Sequence, residues 1–427
     1  MHRMIRMASL AVVSLALVAP AASADTVLEG ATDGGALVKI QVPDVWNGSL
    51  VIYNHGFDLG ALVPSTPDLG PLAPLMLSEG YAVGASSYRQ NGWALYKTKQ
   101  DLRNLVQVFT ANFGEPAEIL VHGFSLGGIV TAQAIEKGEL GNVVGAYPAC
   151  GALAGSRSWD GAIDLRLVYD AICAGVPGAA IPGGGTGLPA RFTEFPFTNT
   201  DFGAALQSCF GLFAPPPFRT PDQVARLSLF LDETDLPENF IATDMGFAVF
   251  ALSDLIFDPA KLKGGQGMGN IGVVYENAAI DASIERVAAE KKAAKRHKKN
   301  FTPKGKVHGV KIVSIHTDGD GLVIVEQEQT YQDVVKPGNL TVAVVNEAGN
   351  THCGFGAGEL TAGWESLRSW VAGGPQPTVA SIQGTCQFID PTPGACRYDP
   401  TFVIPNMDDR VPPRADGDDD DDDGDHD

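Results

Sequence analysis

The sequence predicts an α/β fold built on a mostly parallel sheet, and three observations carry that prediction. Short, nearly all-apolar runs recur between residues 25 and 148, with helical patterns between them. Several of these runs lack the in–out alternation of a half-exposed strand, which is the habit of strands covered on both faces. The alternation then stops, and it resumes only after residue 306. Strand alternating with helix implies helices on both faces of a central sheet, since parallel strands need crossover connections.

The elements follow in order. Residues 1–24 stand outside the fold. Arg3 and Arg6 precede an apolar stretch from Ala8 to Val18, and Ala22-Ser23-Ala24 supplies small residues for cleavage before Asp25. That is the pattern of a secretory signal peptide, so the expected location is secreted or periplasmic. Strands are expected at 36–42, 49–53, 81–86, 118–122 and 143–147, with helices at 94–113 and 126–137. From 161 to 306 no strong strand signal appears. Helix-like segments occur there, the clearest at 281–299, which ends in Lys291, Lys292, Lys295, Arg296, Lys298 and Lys299. A strand at 310–316, a helix at 325–335, a strand at 340–345 and a last helix at 359–371 complete the pattern.

The expected organisation is a core of 25–160 and 307–375, interrupted by a mainly helical or irregular cap, 161–306. An extension, 376–414, and an acidic tail, 415–427, follow. Nine of the twelve residues from Asp416 to Asp427 are Asp. Charges this dense repel, so the tail is expected to be disordered. It lacks the spacing of a calcium-binding loop, and no metal is assigned. The formal net charge of −20 argues against nucleic acid as a partner. No apolar run beyond the N-terminus reaches the roughly 18 residues of a membrane span, so none is expected.

Six cysteines fall after residue 24: Cys150, Cys173, Cys209, Cys353, Cys386 and Cys396. An even number in an exported chain implies disulfides, with 15 possible connectivities. Cys386 with Cys396 is the favoured pair, closing a short Pro/Gly-rich loop. The absence of any C-x-x-C argues against zinc and thioredoxin-like chemistry.

Chemistry enters at Gly123-Phe124-Ser125-Leu126-Gly127, a G-x-S-x-G between an expected strand and an expected helix. A sharp strand-to-helix turn crowds its flanks, which demands small residues there, and it exposes the serine hydroxyl. A nucleophilic serine needs a base, and the base needs an orienting acid. The strand 310–316 runs into Thr317-Asp318-Gly319-Asp320, so Asp318 and Asp320 both qualify as the acid. The strand 340–345 leads to Asn350-Thr351-His352, which makes His352 the base. His122, His297, His308 and His316 are expected to be structural or superficial. The oxyanion needs two N–H donors. Leu126, next to the nucleophile, offers one, and Phe57 of Asn54-His55-Gly56-Phe57 offers the other, with Gly56 as the next choice.

In these residues the chain resembles a secreted serine hydrolase of the α/β-hydrolase superfamily. The resemblance spans most of 45–372, through His55-Gly56, Gly123 to Gly128, His316 to Val323, His352 to Phe355 and the segment Gly80 to Trp93. It implies the α/β-hydrolase fold, ester hydrolysis without a cofactor, and Ser125, Asp320 and His352 as the triad. Acids of the superfamily often sit in a His-Thr-x-x-Asp setting, and His316-Thr317-Asp318-Gly319-Asp320 selects Asp320. The insertion 161–306 corresponds to the cap such enzymes carry. Tannase and feruloyl-esterase relatives join a cysteine before the serine to one after the histidine. Here Phe124 precedes Ser125, which disfavours that group and leaves the partner of Cys353 open.

An exported carboxylic ester hydrolase, acting on a small-molecule or polymeric ester, is the leading expectation. A serine peptidase or aminopeptidase shares the triad and would need cap carboxylates, for which Asp232, Glu233, Asp235 and Glu238 are candidates. A non-catalytic binding protein on the same scaffold is the third reading. The cap phenylalanines Phe192, Phe195, Phe197, Phe210, Phe213 and Phe218 suggest either an apolar pocket or packing of cap on core.

Overall fold

The computed structural model describes residues 25–58, 65–137, 139–183, 197–347 and 349–414. The segment expected to be a signal peptide, the acidic tail, and Phe192 and Phe195 lie outside them. Eight strands form one sheet: β1 (Thr26–Ala31), β2 (Leu37–Val42), β3 (Ser49–Asn54), β4 (Ala82–Ser86), β5 (Glu118–Phe124), β6 (Val143–Ala149), β7 (Lys311–Thr317) and β8 (Leu340–Val345). Their spatial order is β1-β2-β4-β3-β5-β6-β7-β8. β1 pairs with β2, and β2 with β4, in antiparallel fashion, while every other pair is parallel.

The helices are α1 (Ala73–Ser78), α2 (Thr98–Phe113), α3 (Leu126–Glu136), α4 (Arg157–Ile172), α5 (Asn199–Phe210), α6 (Pro221–Thr234), α7 (Ile241–Gly246), α8 (Leu252–Phe257), α9 (Ala278–Ser283), α10 (Lys291–Asn300), α11 (Gln327–Val334), α12 (Ala357–Val371), α13 (Val379–Ile389) and α14 (Met407–Arg410).

Burial explains the apolar strands. All residues of β3 and β4 are buried. Side chains alternate between faces along a strand. Leu50, Ile52, Ile119 and Val121 accordingly join one apolar cluster, which continues into α2, α3 and the cap helices. Val51, Tyr53 and Leu120 join the other, with Met76 of α1, Trp364 of α12 and Ile382 of α13. β1 carries no such signal, because it is an exposed edge strand, Thr-Val-Leu-Glu-Gly-Ala. That is why hydrophobic runs do not announce it.

Local signals set several helix ends. Thr198 caps α5 through Asp201 N–H in a reciprocal capping box, and Gly211 ends that helix in the left-handed region. Thr220 and Pro221 start α6 in the same way. Thr378 caps α13, a helix the sequence pattern does not reveal. A 3₁₀ turn, Ala94–Tyr96, precedes α2, so the expected helix 94–113 is broken at Lys97.

Between β6 and β7 the chain forms α4 to α10, with no strand among the described residues. The single helix expected at 281–299 is two. Asn270, fully buried, donates from Nδ2 to Glu285 O and accepts Val287 N–H at Oδ1, while its own N–H reaches Val287 O. These bonds hold 285–287 outside any helix and separate α9 from α10. The helical run Glu238–Phe257, which is α7, a π-helical turn at Phe247–Ala251 and α8 with the turn before them, is long and apolar enough to cross a membrane by length and composition. Its apolar residues instead pack into the first cluster beside α4.

Three disulfides are formed: Cys150–Cys353, Cys173–Cys209 and Cys386–Cys396. The last is the expected pair, although Cys386 lies within α13 rather than in a loop.

Candidate active site

Ser125 stands between the end of β5 and the start of α3, with φ 57° and ψ −124°. A non-glycine residue there stores backbone strain, which persists only when its surroundings over-determine it. The neighbouring glycines show why. A Cβ on Gly127 would come 1.9 Å from Asn54 O, and one on Gly123 would come 2.4 Å from Gly127 O. Helix α3 is therefore pressed against the ends of β5 and β3, and only glycine fits at either contact.

The residues expected as acid and base follow neighbouring strands. Asp320 follows β7, is 3% exposed, and receives His352 Nδ1 at Oδ2 over 2.7 Å. Its Oδ1 accepts the N–H groups of Leu322 and Val323 at 3.1 and 3.0 Å. Asp318 turns elsewhere, accepting Glu347 N–H at 2.7 Å. His352 follows β8, and its side chain is 22% exposed. No hydrogen bond joins Ser125 Oγ to His352; Nε2 lies 3.5 Å from Cys353 Sγ instead. Such contacts are often long in unliganded enzymes and tighten on substrate binding. Cys353 itself is tied to Cys150, just beyond β6. The histidine loop is thus fastened to the next strand end rather than to the serine turn. Because both sulfurs are in that bond, neither offers a thiolate beside His352.

The early loop closes on the serine. A Cβ on Gly56 would stand 3.5 Å from Ser125 Cβ. Tyr88 stacks on His55 with ring centroids 4.2 Å apart, and its hydroxyl donates to His55 O. Among the described residues no hydrogen bond takes up the N–H of Phe57 or of Leu126.

His316 and Glu328 lie behind Asp320. His316 Nε2 donates to Val323 O at 2.7 Å, while Nδ1 meets Glu328 Oε1 at 3.0 Å and Asp320 Oδ2 is 3.8 Å from Nε2. Burial opposes charge on this ring, but the Glu328 hydrogen bond and the charges of Glu328 and Asp320 outweigh it, raising its pKa above the usual histidine value. Glu328 escapes sequence reading, because it lies on α11 and meets β7 only in three dimensions. The histidines expected to be structural include His122 and His297, and burial pushes each down to about 4.

A cavity of about 290 Å³ opens on Ser125, with Phe57, Trp159, Phe247 and Tyr275 in its walls. Of the six cap phenylalanines singled out in the sequence, the four described ones, Phe197, Phe210, Phe213 and Phe218, do not line it. Phe197 and Phe210 are buried against Phe250 and Phe230, and Phe213 and Phe218 are exposed. Their apolar character serves cap packing or the surface, and the cavity's aromatic walls come from other residues.

A sheet whose first strands run antiparallel and whose remaining strands run parallel is now accounted for, with a strained serine turn after β5 and loops bearing Asp320 and His352 after β7 and β8. The chain has the α/β-hydrolase fold. No family model and no curated protein sequence matches it. Among solved structures the chain is similar to feruloyl esterase B from Aspergillus oryzae, at 12% identity and TM-score 0.44, over 83% of this chain and 82% of that one. Candida antarctica lipase A in its closed state is similar at 13% identity and TM-score 0.41, over 91% and 88%. Proline iminopeptidase from Mycobacterium smegmatis is similar at 14% identity and TM-score 0.37, over 85% and 100%.

Proposed function

We propose that this protein is an exported serine hydrolase that cleaves carboxylic esters, with Ser125 as nucleophile, His352 as base and Asp320 as orienting acid. The observation that carries the reading is Ser125 held at φ 57° beside a cavity, with the Asp320–His352 pair on adjoining strand ends. His352 takes the Ser125 proton as Oγ attacks the ester carbonyl. The N–H groups of Phe57 and Leu126 stabilise the oxyanion, each worth on the order of 10²–10³ in rate. The alcohol leaves with the proton, and water repeats the sequence on the acyl-enzyme. Asp320 stays ionised and fixes the imidazole tautomer. No step calls for a metal or cofactor. Three disulfides suit an oxidising compartment, which supports export.

The test combines a serine-reactive fluorophosphonate with a panel of graded esters and matched amides. Labelling at Ser125, ester turnover, and loss of both in Ser125→Ala are expected. Turnover of amides above esters would turn the reading towards a peptidase. Lack of labelling with no turnover would favour the non-catalytic scaffold.

A further inference from the structure

The cavity beside Ser125 is acidic. Asp164, Asp232, Glu233, Asp235 and Asp244 line it together with the exposed Glu276 and Asp409, and Arg410 is its one lining base among the described residues. Most of these carboxylates have protein partners. Asp164 accepts from Arg414 and from the Tyr275 hydroxyl. Glu233 accepts the N–H groups of Glu276 and Asn277. Asp232 takes the Ser228 hydroxyl, and Asp235 faces Arg410 at 3.7 Å.

Asp244 is different. It lies on α7, is 9% exposed, lines the cavity, and its Oδ2 is buried with no hydrogen-bond partner. A buried carboxylate oxygen left unpaired costs free energy that a ligand donor would recover. Arg410 makes no hydrogen bond to that oxygen; its guanidinium donates to Asp235 O.

We propose that Asp244 receives an ammonium group of the substrate, so that the enzyme acts on esters bearing one amine within reach of the scissile carbonyl. This rests on Ser125 being the nucleophile. A compact ammonium suits the place, since one oxygen is free and the surrounding wall is aromatic. Trp159, Phe247 and Tyr275 line the same cavity and supply aromatic surface for the chain that carries the charge. The electrostatics agree. Burial and the charge of Asp320 push the Asp244 carboxyl well above its usual value, with Arg410 opposing. Ammonium binding would restore the ionised form and expel a proton.

Two ester pairs test it, because the amine can sit on either side of the ester. One pair is the nitrophenyl esters of ω-aminohexanoic and heptanoic acids. The other is the acetates of aminopentanol and hexanol. Members of each pair differ only in ammonium against methyl. The wild type should prefer the ammonium member of at least one pair by about tenfold in kcat/KM, and Asp244→Asn should bring that ratio close to one. A wild-type ratio near one in both pairs, or a preference that survives Asp244→Asn, would overturn the proposal. If the wild type hydrolyses none of the four, the esterase reading fails, and calorimetry with hexylammonium decides this one separately. Binding by the wild type at least about tenfold tighter than hexanol supports it, and equal or absent binding overturns it.

Discussion

Asp318 and Asp320 sit two residues apart on one turn, yet their surroundings give them separate tasks. Asp320 is buried, bonded to His352 and fixed by two backbone N–H groups; Asp318 holds the start of the histidine loop through Glu347. Asp320→Asn should therefore lower kcat on the order of 10⁴-fold by favouring the wrong tautomer, while Asp318→Asn stays within about tenfold. Steady-state kinetics on one activated ester separates them, and the reverse ranking would move the acid to Asp318. Spacing alone left the two aspartates open, because a turn reads the same whichever carboxylate points inward. The pair His316–Glu328 was not legible for a related reason: each member is ordinary in its own segment. Both side chains are fully buried. Removing one partner of such a pair typically costs about 3–5 kcal/mol. Glu328→Gln should thus lower stability by an amount of that order, measured by urea unfolding. A loss below about 1 kcal/mol would mean that His316 is neutral and the pair is not ionic.

Among the elements, the strands were legible because burial on both faces leaves apolar runs, and β1 and α13 were not because their faces are partly solvated. The break between α9 and α10 depends on Asn270, some fifteen residues upstream, which no local periodicity encodes. The Cys150–Cys353 bond likewise joins residues 203 apart. Chain-entropy reasoning assigns a loop of that size about 5 kcal/mol. Cys150→Ala with Cys353→Ala should lower the midpoint of thermal unfolding and also reduce kcat, since His352 adjoins Cys353. Lost stability with unchanged kcat would show that Asp320 alone orders the histidine loop. The cap aromatics divide in the same manner. Phe247→Ala enlarges the cavity wall and should shift preference towards longer acyl chains in a graded ester series. Phe210→Ala, deep in the cap beside Tyr169 and Phe230, should cost about 3–5 kcal/mol and leave the ranking of substrates alone.

For the whole molecule, charge and burial set how stability responds to acid. The net charge of −20 means that lowering the pH relieves repulsion between carboxylates. Asp101, Asp164, Asp170 and Glu136 have raised values, first through burial, so they bind protons more readily folded than unfolded and also gain on acidification. His122 acts in the opposite sense. It lies on β5, with Nδ1 against Tyr147 O and its ring stacked on Tyr147, and burial depresses it to about 4. Its unfolded value is near 6.5. Between those limits the unfolded chain holds the extra proton, so the contribution of neutral His122 is complete above 6.5 and fades as the pH falls towards 4. From pH 7 to pH 5 the linkage amounts to about 2 kcal/mol. Asparagine can keep the donor to Tyr147 O while carrying no titration. His122→Asn will be less stable than wild type at pH 7, through lost packing, but that deficit should shrink by about 2 kcal/mol at pH 5. Urea unfolding of both proteins at the two pH values checks this, and a deficit that stays constant would mean that His122 is protonated in the folded state or reached by solvent.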